Sequence, residues 1–397
     1  MAAVAGSDKR PIVLATLDGH TDKITQALAI TGEDAIISAS DDRTLRVWVK
    51  RDDGTYWPTI CQTYQAATSS IAYHHRNHKL FVGLSTGLIL EYRLSEDLNR
   101  MEPKRSYLAH TNRVTALKYL PDPEWLLSVG RDKTFQWHCA KTGKKLGSYE
   151  SAAWCLSIEY DAKTSNAFVA DYSGQIIVLQ LKEDGFQHLT SLRGHQSSVR
   201  TLCYDEERRI LFSGGFDQII VVWDIGSQKG TAYELTGHRD RLRSLVYHAQ
   251  TRRLISTSDD GVMGIWNMDI ERQETAEWGA GSSCEKCGHP FFWNVKDMWS
   301  KKSVGLRQHH CRKCGRALCH KCSEQQSTYP PMGFEIPVRM CNDCKRQITT
   351  DDQQPLANLL ELKTVITGMD LDKERGILVT VCEEKTIKIF DVKPVLT

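Results

Sequence analysis

The chain has 397 residues, 41% hydrophobic and 25% charged, with a formal net charge of +2; this suits two globular domains, or one large repeat fold with an addition. No apolar run approaches the roughly 20 residues that cross a bilayer, and Met1 to Arg10 lacks the apolar stretch of a secretory signal. A membrane-spanning or secreted protein is therefore not expected, and a cytoplasmic protein with peripheral membrane contact is.

Along the chain, the first apolar segment is Ile12–Leu17, which has no strand partner in the repeat that follows it. A large residue then closes a short apolar strand at Trp48, Tyr92, Trp137, Leu179, Trp223 and Trp266, in steps of 44, 45, 42, 44 and 43 residues. That spacing is the period of a four-stranded propeller blade. A second periodicity runs in phase with it. His20, His110, His195 and His238 open four repeats, and Asp42, Asp132, Asp217 and Asp260 follow each by 22 residues. Trp48, Trp223 and Trp266 come six after the Asp; Trp137 comes five after, which predicts a turn one residue shorter. The second and fourth repeats lack His and Asp and rely on Gly87 and Gly174 for their turns. A seventh repeat, Ile377 to Asp391, lies beyond an insertion of about 81 residues, taking one period as about 43. An open blade edge invites aggregation, so Ile12–Leu17 is expected to pair with the strand ending at Phe390 and close the ring.

These residues resemble the WD40 repeat, with its Gly-His start and its Trp-Asp end, which survives at Trp223-Asp224. The resemblance implies that His, Asp, Thr44 and Trp form a buried hydrogen-bonded network in the blade. A His-Asp pair also suggests catalysis, but one active site does not need four copies, and no catalytic constellation or phosphate-cradling Gly-rich loop stands out. The expectation is an all-β protein, not an enzyme: a seven-bladed propeller with residues 10–270 as repeats one to six and 355–397 as repeat seven.

Eight of the thirteen cysteines fall in the insertion, as four Cys-x-x-Cys pairs: Cys284/Cys287, Cys311/Cys314, Cys319/Cys322 and Cys341/Cys344. Eight thiolates suit two closed, structural zinc sites. Cys61, Cys139, Cys155, Cys203 and Cys382, scattered in apolar stretches, are expected to be buried small hydrophobes. From Trp278 to Ile348 twelve Lys and Arg face five Asp and Glu, so a basic module sits on a mildly acidic body and an anionic partner is expected for the module alone.

Arg307-Gln308-His309-His310-Cys311-Arg312-Lys313-Cys314-Gly315 resembles the basic signature of the FYVE zinc finger, and Arg339-Met340-Cys341 resembles its second short motif. The resemblance covers residues 278–348, inserted between repeats six and seven. It implies binding of phosphatidylinositol 3-phosphate on early endosomes, and two zinc ions (Zn2+) held in a cross-brace. One set is Cys284, Cys287, Cys319 and Cys322; the other is Cys311, Cys314, Cys341 and Cys344. Arg307, Arg312 and Arg339 are the candidate phosphate forks. His309 and His310 add donors whose charge depends on pH, so tighter binding is expected at mildly acidic pH. By the same resemblance Val304, Gly305 and Leu306 form the loop that dips into the bilayer. Two departures stand out: Gly281 replaces the Asp of the family's Trp-x-x-Asp, and Gln308 replaces an Arg. Phe291, Phe292, Trp293, Met298 and Trp299 are expected to be local core or packing against the propeller.

The whole architecture resembles the WD repeat and FYVE domain-containing proteins. That resemblance implies an endosomal scaffold or adaptor, peripheral on the membrane, whose propeller holds signalling kinases or vesicle proteins. Three other readings compete: a finger that recognises a protein such as a small GTPase and no lipid, a RING-like ubiquitin ligase, and a nucleic-acid binder. The basic run disfavours the second, and the lack of stacking aromatics in a repeated register disfavours the third.

Overall fold

The structure, a computed structural model, describes residues 10–226, 232–274 and 276–396. Most of the first ten residues, read above as free of a signal segment, lie outside that range. The strands Ala35–Ser40, Trp125–Gly130 and Asn166–Asp171 are buried along their whole length. A strand with both faces covered reads as a continuous apolar run, not as an alternation. Each is the second strand of a four-stranded antiparallel sheet. Seven such sheets form a ring, their first strands side by side around a central channel and their fourth strands outermost.

The ring closes as expected: Ile12–Leu17 pairs antiparallel with Ile387–Asp391 as the outer strand of blade seven. The insertion leaves and returns within one sheet. Blade six is built from Leu242–His248, Arg253–Ser258, Val262–Asn267 and, after the whole cysteine-rich segment, Ala357–Glu361. Each sequence repeat supplies the outer strand of the preceding blade. An insertion between repeats six and seven therefore falls between the third and outermost strands of blade six.

Two backbone devices recur in every blade. The first is a bulge in the first hairpin, where one residue of the inner strand is left without a partner: Thr25, Ser69, Thr115, Leu156, Arg200, Arg243 and Thr367. A bulge re-aims the side chain it carries. The second is a left-handed residue in the turn between the second and third strands: Arg43, Gly87, Lys133, Gly174, Gln218, Gly261 and Lys385. Glycine is required at Gly87, where an added Cβ would meet the carbonyl oxygen of His110 at 2.0 Å.

The recurrent His-Asp pairs sit in hydrogen-bonded networks within their blades. His20 Nδ1 lies 2.8 Å from Asp42, Nε2 lies 2.7 Å from Ser38 Oγ, and Trp48 donates to the same hydroxyl at 2.8 Å. Ser213 and Ser256 play the part of Ser38 between His195 and Trp223 and between His238 and Trp266, with Asp217 and Asp260 on the other side of the ring. The sequence reading missed these serines, though each stands 18 residues after its His.

Blade three corrects the reading of its turn. His110 contacts Asp132 and Ser128, but the turn is no shorter: Lys133 has the φ of 67° found at Arg43, and His138 pairs with Leu126 as Trp48 pairs with Ile36. His138 stands where the other blades have Trp. Trp137, one residue earlier, faces the opposite side of its sheet, stacked on Phe135 at 5.4 Å, and Nε1 has no partner among the described residues. A second correction concerns the scattered cysteines. Cys155 and Cys382 are buried, but Cys139 and Cys203 are half-buried, and Cys61 is exposed on the outer strand Tyr56–Thr63.

Two outcomes follow. Ser256→Ala leaves His238 Nε2 and Trp266 Nε1 without their shared hydroxyl partner, and should destabilise the chain by about 1–3 kcal/mol in urea titrations. Burial raises the carboxyl pKa of Asp42, Asp132 and Asp260, but hydrogen bonds from His, Thr and backbone N–H groups outweigh it and hold each at about 2. A depressed folded-state pKa gives stability that is present above the ordinary value and lost as the carboxylate protonates. The melting temperature should therefore fall as pH drops from about 4 to about 2, and Asp260→Asn should flatten part of that fall.

Candidate functional site

Two knuckles begin the metal centre. Cys284 and Cys311 each open a tight turn ended by a left-handed glycine, Gly288 and Gly315, whose N–H returns to the carbonyl of the first Cys. The third pair sits on a 3-10 turn, His320–Cys322, and the fourth at the start of the helix Asn342–Arg346. The fold brings the first pair to the third and the second to the fourth, with the four sulfurs of each set within 4.8 Å of one another. Cys287 and Cys319 are 3.7 Å apart and Cys314 and Cys341 4.0 Å apart. A tetrahedral zinc with bonds of about 2.3 Å needs sulfur edges of about 3.8 Å, so both cradles fit a zinc ion. Burial raises the Cys284 and Cys311 thiol pKa values, yet backbone N–H donors outweigh it and hold both below the ordinary value, which favours the ligating thiolate.

The finger is joined to the ring by more than its tethers. Its hairpin, Gln325–Tyr329 with Phe334–Met340, extends the sheet of blade five: Thr236 pairs with Phe334 in parallel and donates to Gly333 O at 2.8 Å. At Gly333 a Cβ would meet the Glu234 carbonyl at 2.1 Å, so only glycine lets the two backbones approach this closely. Burial pushes the Glu335 carboxyl up to about 7, against the Leu356 N–H that it accepts at 3.2 Å just before the returning strand of blade six.

The basic signature divides between two faces. His309 and His310 are successive residues of a short strand pairing with Ala317–Leu318, so their rings point opposite ways. His310 stacks on Trp278, with ring centroids 4.6 Å apart, and reaches Gly279 O at 3.0 Å. Arg312 lies over the same Trp278 and 3.7 Å from Glu234 of blade five. On the other face, His309 approaches His320 at 6.1 Å, and Arg339 lies 3.4 Å from His320 Nδ1 while donating to Ser323 O at 2.9 Å. Burial first, then Arg339 and Arg307, hold the His309 pKa below its ordinary value. Arg307, His309, Arg339 and His320 thus form one electropositive cluster; His310 and Arg312 stand apart from it. His320 was missed in the sequence, although it sits between two zinc ligands. Where the family's Asp would stand, Gly281 and Gly279 offer backbone carbonyls, both 3.4 Å from the Gln308 amide nitrogen.

The apolar loop is also rearranged. Val304 is 81% exposed. Gly305 is buried, its N–H directed at Met298 Sδ at 2.9 Å, and Leu306 packs on the finger core. Neither Gly305 nor Leu306 is at an exposed tip, because the segment turns inward after Val304 to meet Phe292 and Met298. The expectation that the upstream aromatics are core holds for Phe291, which is fully buried, and fails for Phe292, Trp293 and Trp299, exposed by 57, 55 and 87%. The helix Val295–Ser300, capped by Asn294, carries Val295 and Trp299 one turn apart on an exposed face, beside Lys301 and Lys302.

A profile of the FYVE zinc finger matches residues 277–350, and one of the WD domain, G-beta repeat, matches residues 12–49, 101–137, 186–224 and 229–267. The human WD repeat and FYVE domain-containing protein 1 is 50% identical over 98% of this chain and 94% of its own length. The chain belongs to the WD repeat and FYVE domain-containing protein family. The human protein 2 of that family is 48% identical over 98% of this chain and 97% of its own, and the Caenorhabditis elegans protein 2 is 36% identical over 97% and 94%. Among solved structures, the WD40 beta propeller domain of Doa1 superposes with a TM-score of 0.64 at 15% identity, covering 96% of this chain and 97% of that one; the likeness is one of fold. The chain carries a WD propeller and a FYVE finger, and its two four-cysteine groups fit zinc. No helix among the described residues is long and apolar enough to cross a membrane.

Closed sites of this kind contribute folding energy outright. Elemental analysis should find about two zinc ions per chain, falling to about one in Cys311→Ser. Chelation should expose the amides of residues 309–318 to hydrogen exchange while Ala35–Ser40 stays protected; unchanged protection at 309–318 would show that the metal does not hold the finger.

Proposed function

We propose that this chain is an adaptor that docks on early endosomal membranes through phosphatidylinositol 3-phosphate and presents its propeller to protein partners. The observation that carries this reading is the cluster of Arg307, His309, Arg339 and His320, with the exposed Val304 and Trp299 presented by the preceding segment of the same finger. A phosphomonoester carries nearly two negative charges and three strong acceptor oxygens, which arginine forks and imidazole donors match. An apolar side chain entering the acyl boundary contributes about 1.5–3 kcal/mol, and each nearby Lys about 1 kcal/mol on an anionic leaflet. Of the arginines in the basic signature, the geometry favours Arg307 as the lipid contact over Arg312, which is engaged with Trp278 and Glu234.

Sedimentation of the zinc-loaded chain with liposomes tests the reading. Binding should prefer the 3-phosphate over the 4- and 5-phosphates. Arg307→Ala should abolish that preference. Trp299→Ala should weaken binding to every anionic vesicle roughly tenfold or more, the equivalent of about 1.5 kcal/mol. Equal binding to the three isomers would overturn the 3-phosphate preference, and no binding to any of them would remove the lipid from the mechanism and assign the exposed aromatics to a protein partner.

A further inference from the structure

Six of the seven bulge residues, all but Thr367, line one cavity at a mouth of the central channel, so the fold fixes their position and leaves their identity free. Four blades place a small hydroxyl there, and it caps backbone carbonyls: Thr25 bonds Ala39 O and Thr68 O, Thr115 bonds Val129 O and Cys155 O, Ser69 bonds Gly83 O, and Thr367 faces Val381 O. Blade four has Leu156. Blades five and six instead carry Arg200 and Arg243 at this position. Arg243 is held by Asp259 at 2.6 Å; Arg200 has no such partner among the described residues and needs another explanation.

The two arginines do not stand alone. Together with Lys23, Arg113 and Arg131 they border a cavity of about 300 Å³ at the channel mouth. Two of the five cations are paired, Arg113 with Asp41 at 2.7 Å and Arg243 with Asp259 at 2.6 Å. Among the described residues no carboxylate lies within ion-pair distance of Lys23, Arg131 or Arg200. Burial first, and then Arg243, Arg131 and Arg113, hold the Arg200 guanidinium below its ordinary pKa, and burial, Arg243 and Arg200 do the same to Lys23 against the opposing pull of Asp41. Asp41 and Asp259 answer two of the five cations; the remaining three repel one another, which opposes folding. On one side of the same mouth Trp154 and Tyr172, 5.4 Å apart and about half exposed, form an apolar ledge, with Arg131 over the Trp154 ring. Blades two and seven contribute no cation, having Ser85 and Glu383 at the corresponding turns.

We propose that the channel mouth is a binding site for a phosphorylated peptide segment: the phosphoryl group enters between Arg200, Arg131 and Lys23, and the flanking side chains lie on Trp154 and Tyr172. Three unpaired cations exceed what one carboxylate would neutralise, whereas a phosphomonoester brings close to two charges and three acceptor oxygens for arginine forks. The aromatic ledge favours an occupant with side chains over a free anion. This inference rests on reading the propeller as the partner-holding part of the adaptor, and not on the lipid reading of the finger.

The test is fluorescence anisotropy on the full zinc-loaded chain. The probes are fluorescein-labelled degenerate peptide pools with one fixed phosphoserine or phosphothreonine, against the same pools unphosphorylated, with inorganic phosphate as competitor. The phosphorylated pools should bind roughly tenfold tighter or more, and Arg200→Met and Arg131→Ala should each remove that preference. Arg307→Ala, on the finger, should leave it intact; a preference that vanished with Arg307→Ala would place the anion on the finger. Arg200→Met removes an uncompensated charge and should melt no lower than the parent, and the exposed Arg131 gives an independent variant should it misfold. Equal binding of the two kinds of pool, a preference that survives both propeller variants, or inorganic phosphate binding as tightly as the peptides would each overturn the proposal.

Discussion

Blade six is finished by Ala357–Glu361, which pairs with Val262–Asn267 after the chain has left the ring, built a zinc-braced finger and come back. Much else depends on that return. Both ends of the finger must reach the rim of the same sheet, so the finger lies beside blades five and six and does not swing from one tether. Its hairpin then occupies the edge of blade five, where Thr236 meets Phe334. An edge strand that would otherwise present unpaired backbone groups is covered. The Arg312–Glu234 contact and the Gly333 backbone approach belong to that seam, which is why one arginine of the basic signature is engaged with the propeller.

Much of this was legible in the sequence because it rests on spacing. A period near 43, four His-Asp pairs and eight paired cysteines each encode a covalent or hydrogen-bonded geometry that tolerates little change. Facing direction is less visible. Trp137 shows why: a one-residue offset moves a side chain to the other side of a strand, and counting from Asp132 could not tell a shorter turn from a substitution of His138 into the tryptophan's place. Leu306 and Trp299 exchanged their expected roles for a related reason. Both are large and apolar, and only the inward turn after Val304 decides which meets the core. The division of His309 from His310 could have been read from strand alternation, had that short strand been recognised.

The two basic surfaces differ in origin. On the finger the cations cluster around the cysteine scaffold, so the electropositive patch and the metal sites share their local framework. At the channel mouth the five cations come from four blades, and a bulge repeated in every blade is what makes Arg200 and Arg243 neighbours. A sequence scan for charge runs detects the first arrangement and misses the second, since no two of Lys23, Arg113, Arg131, Arg200 and Arg243 are adjacent.

The seam of blade seven has a consequence for how the molecule comes into being. Within the ring Ile12–Leu17 is made before every other strand, yet its partner, Ile387–Asp391, is made after all of them. During synthesis six blades can condense one after another from local hairpins, while the earliest strand waits as an unpaired apolar segment. Pairing at such sequence separation is slow, and what waits unpaired is exposed to wrong partners. The ring is therefore a structure that the ribosome can assemble almost completely but not lock, and its vulnerable interval ends only when Ile12–Leu17 meets Ile387–Asp391.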